Sequence, residues 1–145
     1  MKNKLIVFEG IDGVGKTTLC QLLERELRKR GIPVIRYESI ESKKRGYNVL
    51  KPFIKKKTGI YASFLFYLSS AIYKSQTVER LLKTSWVLCD RYVYSTIGYH
   101  IARGVRVESV RFKKLPIREP DLTFCVVVKE SIRRARILKK RIKTH

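Results

Sequence analysis

The stretch 8–18, Phe-Glu-Gly-Ile-Asp-Gly-Val-Gly-Lys-Thr-Thr, has the residue types and the spacing of a phosphate-binding loop. The pattern G-x-x-x-x-G-K-[ST] is matched without a gap by Gly10, Gly15, Lys16 and Thr17. Glycines let a backbone curl around an anion with several N–H groups pointing inward. A helix that follows such a loop aims its positive end at the same anion. The spacing therefore predicts a site for nucleotide phosphates.

The side chains of this loop have separate expected roles. Lys16 would reach the outer phosphates as a mobile point charge, and the hydroxyl of Thr17 would ligate Mg²⁺. The alternative is a glycine-rich turn that binds nothing, but an apolar run before the loop and an amphipathic pattern after it agree with the motif. The residues expected to bind ATP are Gly10, Ile11, Asp12, Gly13, Val14, Gly15, Lys16, Thr17 and Thr18.

Asp90 and Arg91 form a second polar cluster, directly after the apolar run 86–89. The carboxylate could bind Mg²⁺ through water, and the planar fork of Arg91 matches phosphate oxygens. Phosphoryl transfer between two nucleotides needs positive charge and exclusion of water rather than covalent work by the protein. Lys16, Asp90 and Arg91 are therefore the candidate catalytic residues, with Asp90 and Thr17 as metal ligands. An ordinary ion pair at the end of a strand is the alternative for Asp90 and Arg91.

The elements that must position these clusters alternate along the chain. Apolar runs predict strands over 4–9, 33–37, 86–89 and 122–128, and helical patterns cover 16–30, 48–57, 61–82, 94–103, 106–115 and 131–142. Such alternation predicts an α/β fold with a mainly parallel sheet and helices on both faces. Because ligands bind at the carboxyl ends of parallel strands, the phosphate loop, Glu38 and Asp90 should meet at one edge.

Composition limits the class of protein. The chain has 145 residues, 44% of them apolar, which suits a single domain over residues 1–145 with a real core. No apolar run is as long as a membrane span and residues 1–4 lead directly into a strand, so we expect no membrane contact, no signal peptide and a cytoplasmic location. Cys20, Cys89 and Cys125 lie among apolar neighbours, which predicts buried, reduced thiols.

The positive charge exceeds what a small anionic substrate needs. Lys and Arg number 33 and Asp and Glu 12, so the formal net charge is +21. The excess could attract nucleic acid, or it could be the solvated Lys/Arg-rich surface of a heat-adapted protein. It recurs in 43–57, 103–118 and 129–143, which favours a general surface property over a dedicated tail.

Taken together, these motifs resemble those of the thymidylate kinase family of nucleoside monophosphate kinases. The resemblance rests on the loop 8–18, on Leu65-Phe66-Tyr67, on the stretch 90–96 (Asp-Arg-Tyr-Val-Tyr-Ser-Thr) and on Pro120-Asp121-Leu122-Thr123. It covers nearly the whole chain in the right order. It implies a three-layer P-loop kinase fold with a sheet of about four strands, and ATP-dependent transfer of a phosphoryl group to dTMP, giving dTDP.

The resemblance also implies roles that pattern alone leaves open. Asp12 would lie near the acceptor's sugar hydroxyl and the metal, Phe66 would stack on thymine, and Arg91 would hold the acceptor phosphate. Tyr99 would lie beside the sugar or base. For Phe66 and Tyr99, pattern alone does not decide between base stacking and core packing. The apolar helix 61–82 would be the interface of a homodimer.

Four departures from the family pattern stand out. Ser70 replaces an arginine that contacts the base, and Glu38 alone remains of an Arg-Glu-Pro that follows the second strand in many members. Gly13 stands where one branch places a catalytic arginine, and members with glycine there take arginines from a lid. With its end at His145, the chain is expected to lack most of that lid, a fifth strand and the closing helix.

Two alternatives to a dTMP kinase follow from these departures. Ser70 leaves open a kinase for another nucleotide or for a nucleoside. The +21 charge and the expected absence of the lid leave open a degenerate member that binds nucleotide or nucleic acid without catalysis. The cations Arg133, Arg134 and Arg136 could supply the missing charge, but a helix so rich in cations is expected to present them to solvent.

Overall fold

A four-stranded sheet in which each neighbouring pair of strands is parallel forms the centre of the molecule. The computed structural model describes residues 2–37, 54, 59–108 and 110–142. The strand order is β2-β3-β1-β4. This confirms the predicted parallel α/β sheet. The strands are β1 (Leu5–Glu9), β2 (Val34–Tyr37), β3 (Trp86–Asp90) and β4 (Leu122–Cys125).

The helices of the described residues follow the predicted order. They are α1 (Lys16–Lys29), α2 (Ile60–Leu81), α3 (Val93–Ile101) and α4 (Glu130–Ile142). None of these described helices combines the length and apolar character needed to cross a membrane. The short helix expected over 48–57 lies outside the described residues apart from Ile54, and Glu38 also lies outside them.

Both faces of the sheet are covered at β1, where successive residues point to opposite sides and pack against different helices. Every residue of β1 is buried. Leu5 and Val7 pack in a cluster with Phe64 of α2, whereas Ile6 packs in a second cluster with Cys20 of α1. The continuous apolar runs of β1 and β3 are thus explained by helices on either side, as expected for parallel strands.

The helix predicted over 106–115 is wrong. Only Phe112–Lys114 forms a short 3₁₀ turn among the described residues of this stretch. Val105 is buried, and Val107 and Val110 pack against the same core cluster as α2. Their β-branched side chains have low helix propensity, and an irregular path lets them reach the core while the intervening cations face solvent.

The fourth strand is shorter and more exposed than its apolar sequence suggests. β4 ends at Cys125 rather than at residue 128, and among the described strands it pairs only with β1. All its residues are exposed, so the expectation that Cys125 is buried is wrong. Cys20 and Cys89 are buried as predicted, and burial raises the pKa of their thiols to about 12 and about 11.

Candidate active site

The loop between β1 and α1 has a backbone that only glycine adopts easily. Gly10, Gly13 and Gly15 have φ values of 138°, 86° and 102°. At Gly10 there is also no room for a side chain, because a Cβ would lie 2.5 Å from the carbonyl oxygen of Val126. The loop therefore curls tightly between the end of β1 and the first turn of α1, the form that cradles a phosphate.

Lys16 folds over this loop rather than into solvent. Its side chain is buried and its Nζ donates a hydrogen bond to the carbonyl oxygen of Ile11 at 2.8 Å. Burial lowers the pKa of Lys16, and the charge of Arg91 lowers it further. An anion bound in the loop would raise the pKa of Lys16 again, because its negative charge would stabilise the partly desolvated ammonium.

Thr17 and Asp90 meet at the tips of neighbouring elements. β1 and β3 pair in parallel with Phe8 opposite Asp90, so the end of β3 lies beside the start of α1. The Thr17 hydroxyl donates to Asp90 Oδ2 at 2.5 Å. Two hard oxygen ligands in contact suit Mg²⁺, which takes one or two protein oxygens and completes its shell with phosphates and water. The residues present therefore fit this metal.

Arg91 joins the second cluster to the phosphate loop. Its Nη2 donates to Asp12 Oδ1 at 2.5 Å and its Nη1 to Ser95 Oγ at 3.0 Å. The guanidinium lies over the ring of Tyr99, with 5.5 Å between Cζ and the ring centroid. Burial alone would lower the pKa of Arg91, but the hydrogen bonds and charges of Asp12 and Tyr99 together outweigh burial, so this pKa is raised. A phosphate-matching fork thus faces the loop.

The last helix contacts the phosphate loop as well. Arg133 donates to the carbonyl oxygen of Asp12 at 3.3 Å, and Arg136 to that of Val14 at 3.0 Å. A Cβ on Gly13 would lie 3.1 Å from Arg133 Cγ, so the missing side chain is what lets α4 approach. The expectation that these cations form a solvated face is wrong for Arg133, which is half-buried against the loop. Arg136 is exposed as expected, although it also contacts the loop, and Arg134 is exposed and paired with Glu130.

The expected site residues thus fall into two groups. One group meets around the phosphate loop: Asp12, Lys16, Thr17, Asp90, Arg91 and Tyr99. Phe66 belongs to the other group: it is half-buried on α2, with its ring edge-on to that of Tyr67 at 5.5 Å between centroids. Glu38 is not among the described residues.

Comparison with known proteins identifies the family. A family model described as Thymidylate kinase matches residues 8–145, which is nearly the whole chain. The chain belongs to the thymidylate kinase family. The match includes the phosphate loop, the Asp90–Arg91 cluster and α4.

Individual relatives of the family span more than this chain. A probable thymidylate kinase of Pyrococcus abyssi is 31% identical, over 94% of this chain and 71% of the relative. A probable thymidylate kinase of Methanocaldococcus jannaschii is 32% identical, over 87% and 65%. A thymidylate kinase of Leptospira interrogans is 32% identical, over 91% and 69%. The chain thus spans about two thirds of the length of these relatives.

The fold is also that of a solved family member. The crystal structure of thymidylate kinase from Ehrlichia chaffeensis matches with a TM-score of 0.69, covering 99% of this chain and 81% of that one. Sequence identity is 22%, so the match shows the shared fold.

Sequence reasoning missed one residue of this chain that supports the site, Glu9. Its buried carboxylate accepts the backbone N–H of Tyr92 at 2.8 Å and that of Ser95 at 3.3 Å, and it also accepts the Ser95 hydroxyl. It therefore caps the start of α3 from another element and fixes the turn that carries Arg91. The only signal was a carboxylate at the end of an otherwise apolar strand.

Proposed function

We propose that this chain transfers the γ-phosphoryl group of ATP to the 5′-phosphate of a nucleoside monophosphate, with dTMP as the acceptor. The observation that carries the proposal is the 2.5 Å ion pair between Arg91 and Asp12. In this ion pair, the cation expected to bind the acceptor contacts the loop expected to bind the donor, which supports a single shared site. The family membership and the names of the relatives support dTMP as the acceptor.

On the donor side, the residues act by position and charge. The N–H groups of the curled loop and the Lys16 ammonium would hold the β- and γ-phosphates of ATP. Thr17 and Asp90 would hold Mg²⁺, which would neutralise charge that develops on the transferred group. The partly desolvated Lys16 exerts a stronger field on the phosphates than an exposed lysine would.

On the acceptor side, the guanidinium of Arg91 would hold the 5′-phosphate in line with the γ-phosphate. Its bonds to Asp12 and Ser95 keep the fork directed toward the loop, and Asp12 would also contact the sugar hydroxyl. Tyr99 would lie beside the sugar or base, Phe66 would stack on the base, and Glu38 would contribute from the end of β2. No covalent intermediate with the protein is needed.

The test is a panel of acceptors with Mg·ATP. ADP formation should require dTMP and be lost in Lys16→Ala and Arg91→Ala, whereas Glu26→Gln, a change on an exposed face of α1, should leave it unaltered. Absence of ADP above background with every nucleotide and nucleoside would overturn the proposal. Turnover with another acceptor would keep the kinase and reject dTMP, which is the alternative that Ser70 motivates.

A nucleic-acid-binding role is the second candidate, and the +21 charge favours it. It predicts polynucleotide binding with a steep dependence on salt and no dependence on Lys16. Loss of ATP binding in Lys16→Ala with negligible polynucleotide binding at moderate salt would reject it.

The assembly we propose is a homodimer through α2, acting in the cytoplasm. Tyr61 and Leu65 on this helix are 51% and 59% exposed, and Tyr73 is 43% exposed. Large apolar groups in one exposed region suit a subunit interface. Light scattering decides the point, because Leu65→Glu should convert a dimer to a monomer, and a monomeric wild type would reject the interface.

A further inference from the structure

Lys74 is a buried cation that the roles described above do not use. It lies on α2, and its Nζ donates to the backbone carbonyl oxygen of Arg91 at 2.5 Å. The rings of Tyr37 and Tyr92 lie 5.4 and 5.8 Å from the ammonium. No carboxylate of the described residues forms an ion pair with it. A lysine is rarely buried in this way without a specific polar or aromatic environment.

The residue that Lys74 contacts has an unusual backbone. Among the described residues, Arg91 is the one non-glycine with positive φ, at 67°. L-residues rarely adopt this conformation, and it persists only where the surroundings hold it. The Arg91 N–H donates to the carbonyl oxygen of Phe8 at 2.9 Å, and the next N–H, that of Tyr92, is bound by Glu9. Lys74 holds the carbonyl between them.

These contacts define a clamp on one peptide unit. Glu9 takes the N–H side and Lys74 takes the carbonyl side, and both hydrogen bonds involve a charged group, which makes them stronger than neutral ones. The clamp sets the direction in which the Arg91 side chain leaves the backbone. That direction carries the guanidinium to Asp12 of the phosphate loop.

We propose that Lys74 is a positioning residue: by holding the Arg91 carbonyl it keeps Arg91 in the left-handed conformation that aims its guanidinium at the phosphate loop. The catalytic consequence rests on the proposed function, but the effect on Arg91 does not. Two readouts, one of the position of Arg91 and one of turnover, therefore distinguish failure of the positioning role from failure of the proposed function.

The first readout is the guanidinium NMR signal of Arg91 in the full chain, assigned by its loss in Arg91→Lys. Ion pairing with Asp12 should slow rotation enough for the Nη protons to be seen. Lys74→Met should abolish those signals, whereas Lys83→Met, which removes an exposed lysine just after α2, should keep them. If Lys74→Met does not fold by circular dichroism, Lys74→Gln serves instead, since its shorter amide cannot reproduce the charged contact. Unchanged Arg91 signals in a folded variant would overturn the proposal.

The second readout is kinetic and uses a double-mutant cycle. Lys74→Met should lower kcat/KM for dTMP on the order of 10- to 100-fold, the effect of a misplaced binding group, with the KM for ATP little changed. In an Arg91→Ala background the same substitution should have almost no further effect, and Lys74→Arg should recover part of the activity. Equal effects in both backgrounds would mean that Lys74 does not act through Arg91. Altered NMR signals with no wild-type turnover would reject only the proposed function.

Discussion

At the level of single residues, Asp90 links the two polar clusters of the candidate site. Its carboxylate accepts the hydroxyl of Thr17, and its backbone leads directly into Arg91. A carboxylate beside a metal-ligating hydroxyl tunes and orients the metal site even where it binds the ion through water. In the proposed mechanism, Asp90 therefore acts on the donor side and Arg91, the next residue, on the acceptor side.

This placement predicts that Asp90→Asn changes the dependence of turnover on Mg²⁺. The amide keeps the size of the side chain but removes its charge, so the Mg²⁺ concentration for half-maximal turnover should rise and kcat should fall, each by about 10- to 100-fold. Titration of activity with Mg²⁺ at saturating ATP measures both. Glu26→Gln should titrate like wild type, and an unchanged Mg²⁺ requirement in Asp90→Asn would remove Asp90 from the metal site.

Sequence alone could identify the residues that belong to local motifs. The loop 10–18 and the pair Asp90–Arg91 follow from spacing and from their position at strand ends. Glu9 and Lys74 could not be assigned in this way, because their partners lie 83 and 17 residues away and depend on how β1, α2 and α3 pack. Long-range contacts of single side chains leave no periodic signal.

At the level of elements, the start of α3 depends on a strand residue. No side chain of α3 itself caps the helix, and Tyr92 at its N-cap relies on the buried carboxylate of Glu9. Helix starts without an acceptor leave N–H groups unsatisfied, which is costly when they are buried.

Glu9→Gln tests this cap. The amide can replace one acceptor oxygen but loses the charge and the second acceptor. The free energy of unfolding should therefore fall by about 1–3 kcal/mol. Urea unfolding followed by circular dichroism measures this change in the free energy of unfolding. The matched change Glu26→Gln, at an exposed carboxylate of α1, should have almost no effect. Equal stability of Glu9→Gln and wild type would exclude the cap.

Glu130 accepts hydrogen bonds from Arg133, one of the α4 residues that contact the phosphate loop. Hydrogen bonds from Arg133 and then Arg134 lower the pKa of the Glu130 carboxyl from 4.5 to about 2. Since this pKa is depressed in the folded protein, the contribution to stability is present above about pH 4.5 and is lost as the pH falls toward 2. The group is exposed, so the effect is screened by salt.

The predicted outcome is a difference between two acid titrations. Between pH 4.5 and 2, wild type should lose more thermal stability than Glu130→Gln, which has no charge to lose at this position. Melting temperatures across this range, at low salt, measure the difference. Parallel curves for the two proteins would show that the charge of Glu130 does not stabilise the folded protein.

The helices and strands differ in how well the sequence predicts their bounds and their burial. The buried strands and α1 and α2 were predicted nearly to the residue, because apolar periodicity reports burial directly. The stretch 106–115 was not, since its valines reach the core from an irregular path and mimic a helical pattern. The exposure of β4 depends on which neighbours the strand has, which its own residues do not encode.

At the level of the whole molecule, the net charge of +21 acts on the fold as self-repulsion. The acidic residues are too few to pair with all the cations. Raising NaCl from about 50 to about 500 mM, which shortens the screening length several-fold, should therefore raise the melting temperature. Calorimetry at the two salt concentrations measures the shift, and a fall in melting temperature would mean that attractive ion pairs outweigh the repulsion.

The central claim concerns one pocket shared by donor and acceptor, and the transfer of the γ-phosphate of radiolabelled Mg·ATP to dTMP tests it most directly. The expected result is labelled dTDP with wild type, and a loss of at least about 100-fold in both Lys16→Ala and Arg91→Ala, since each removes a charge that acts on the transferred group. No labelled nucleotide product with wild type, or full transfer by Arg91→Ala, would contradict the account.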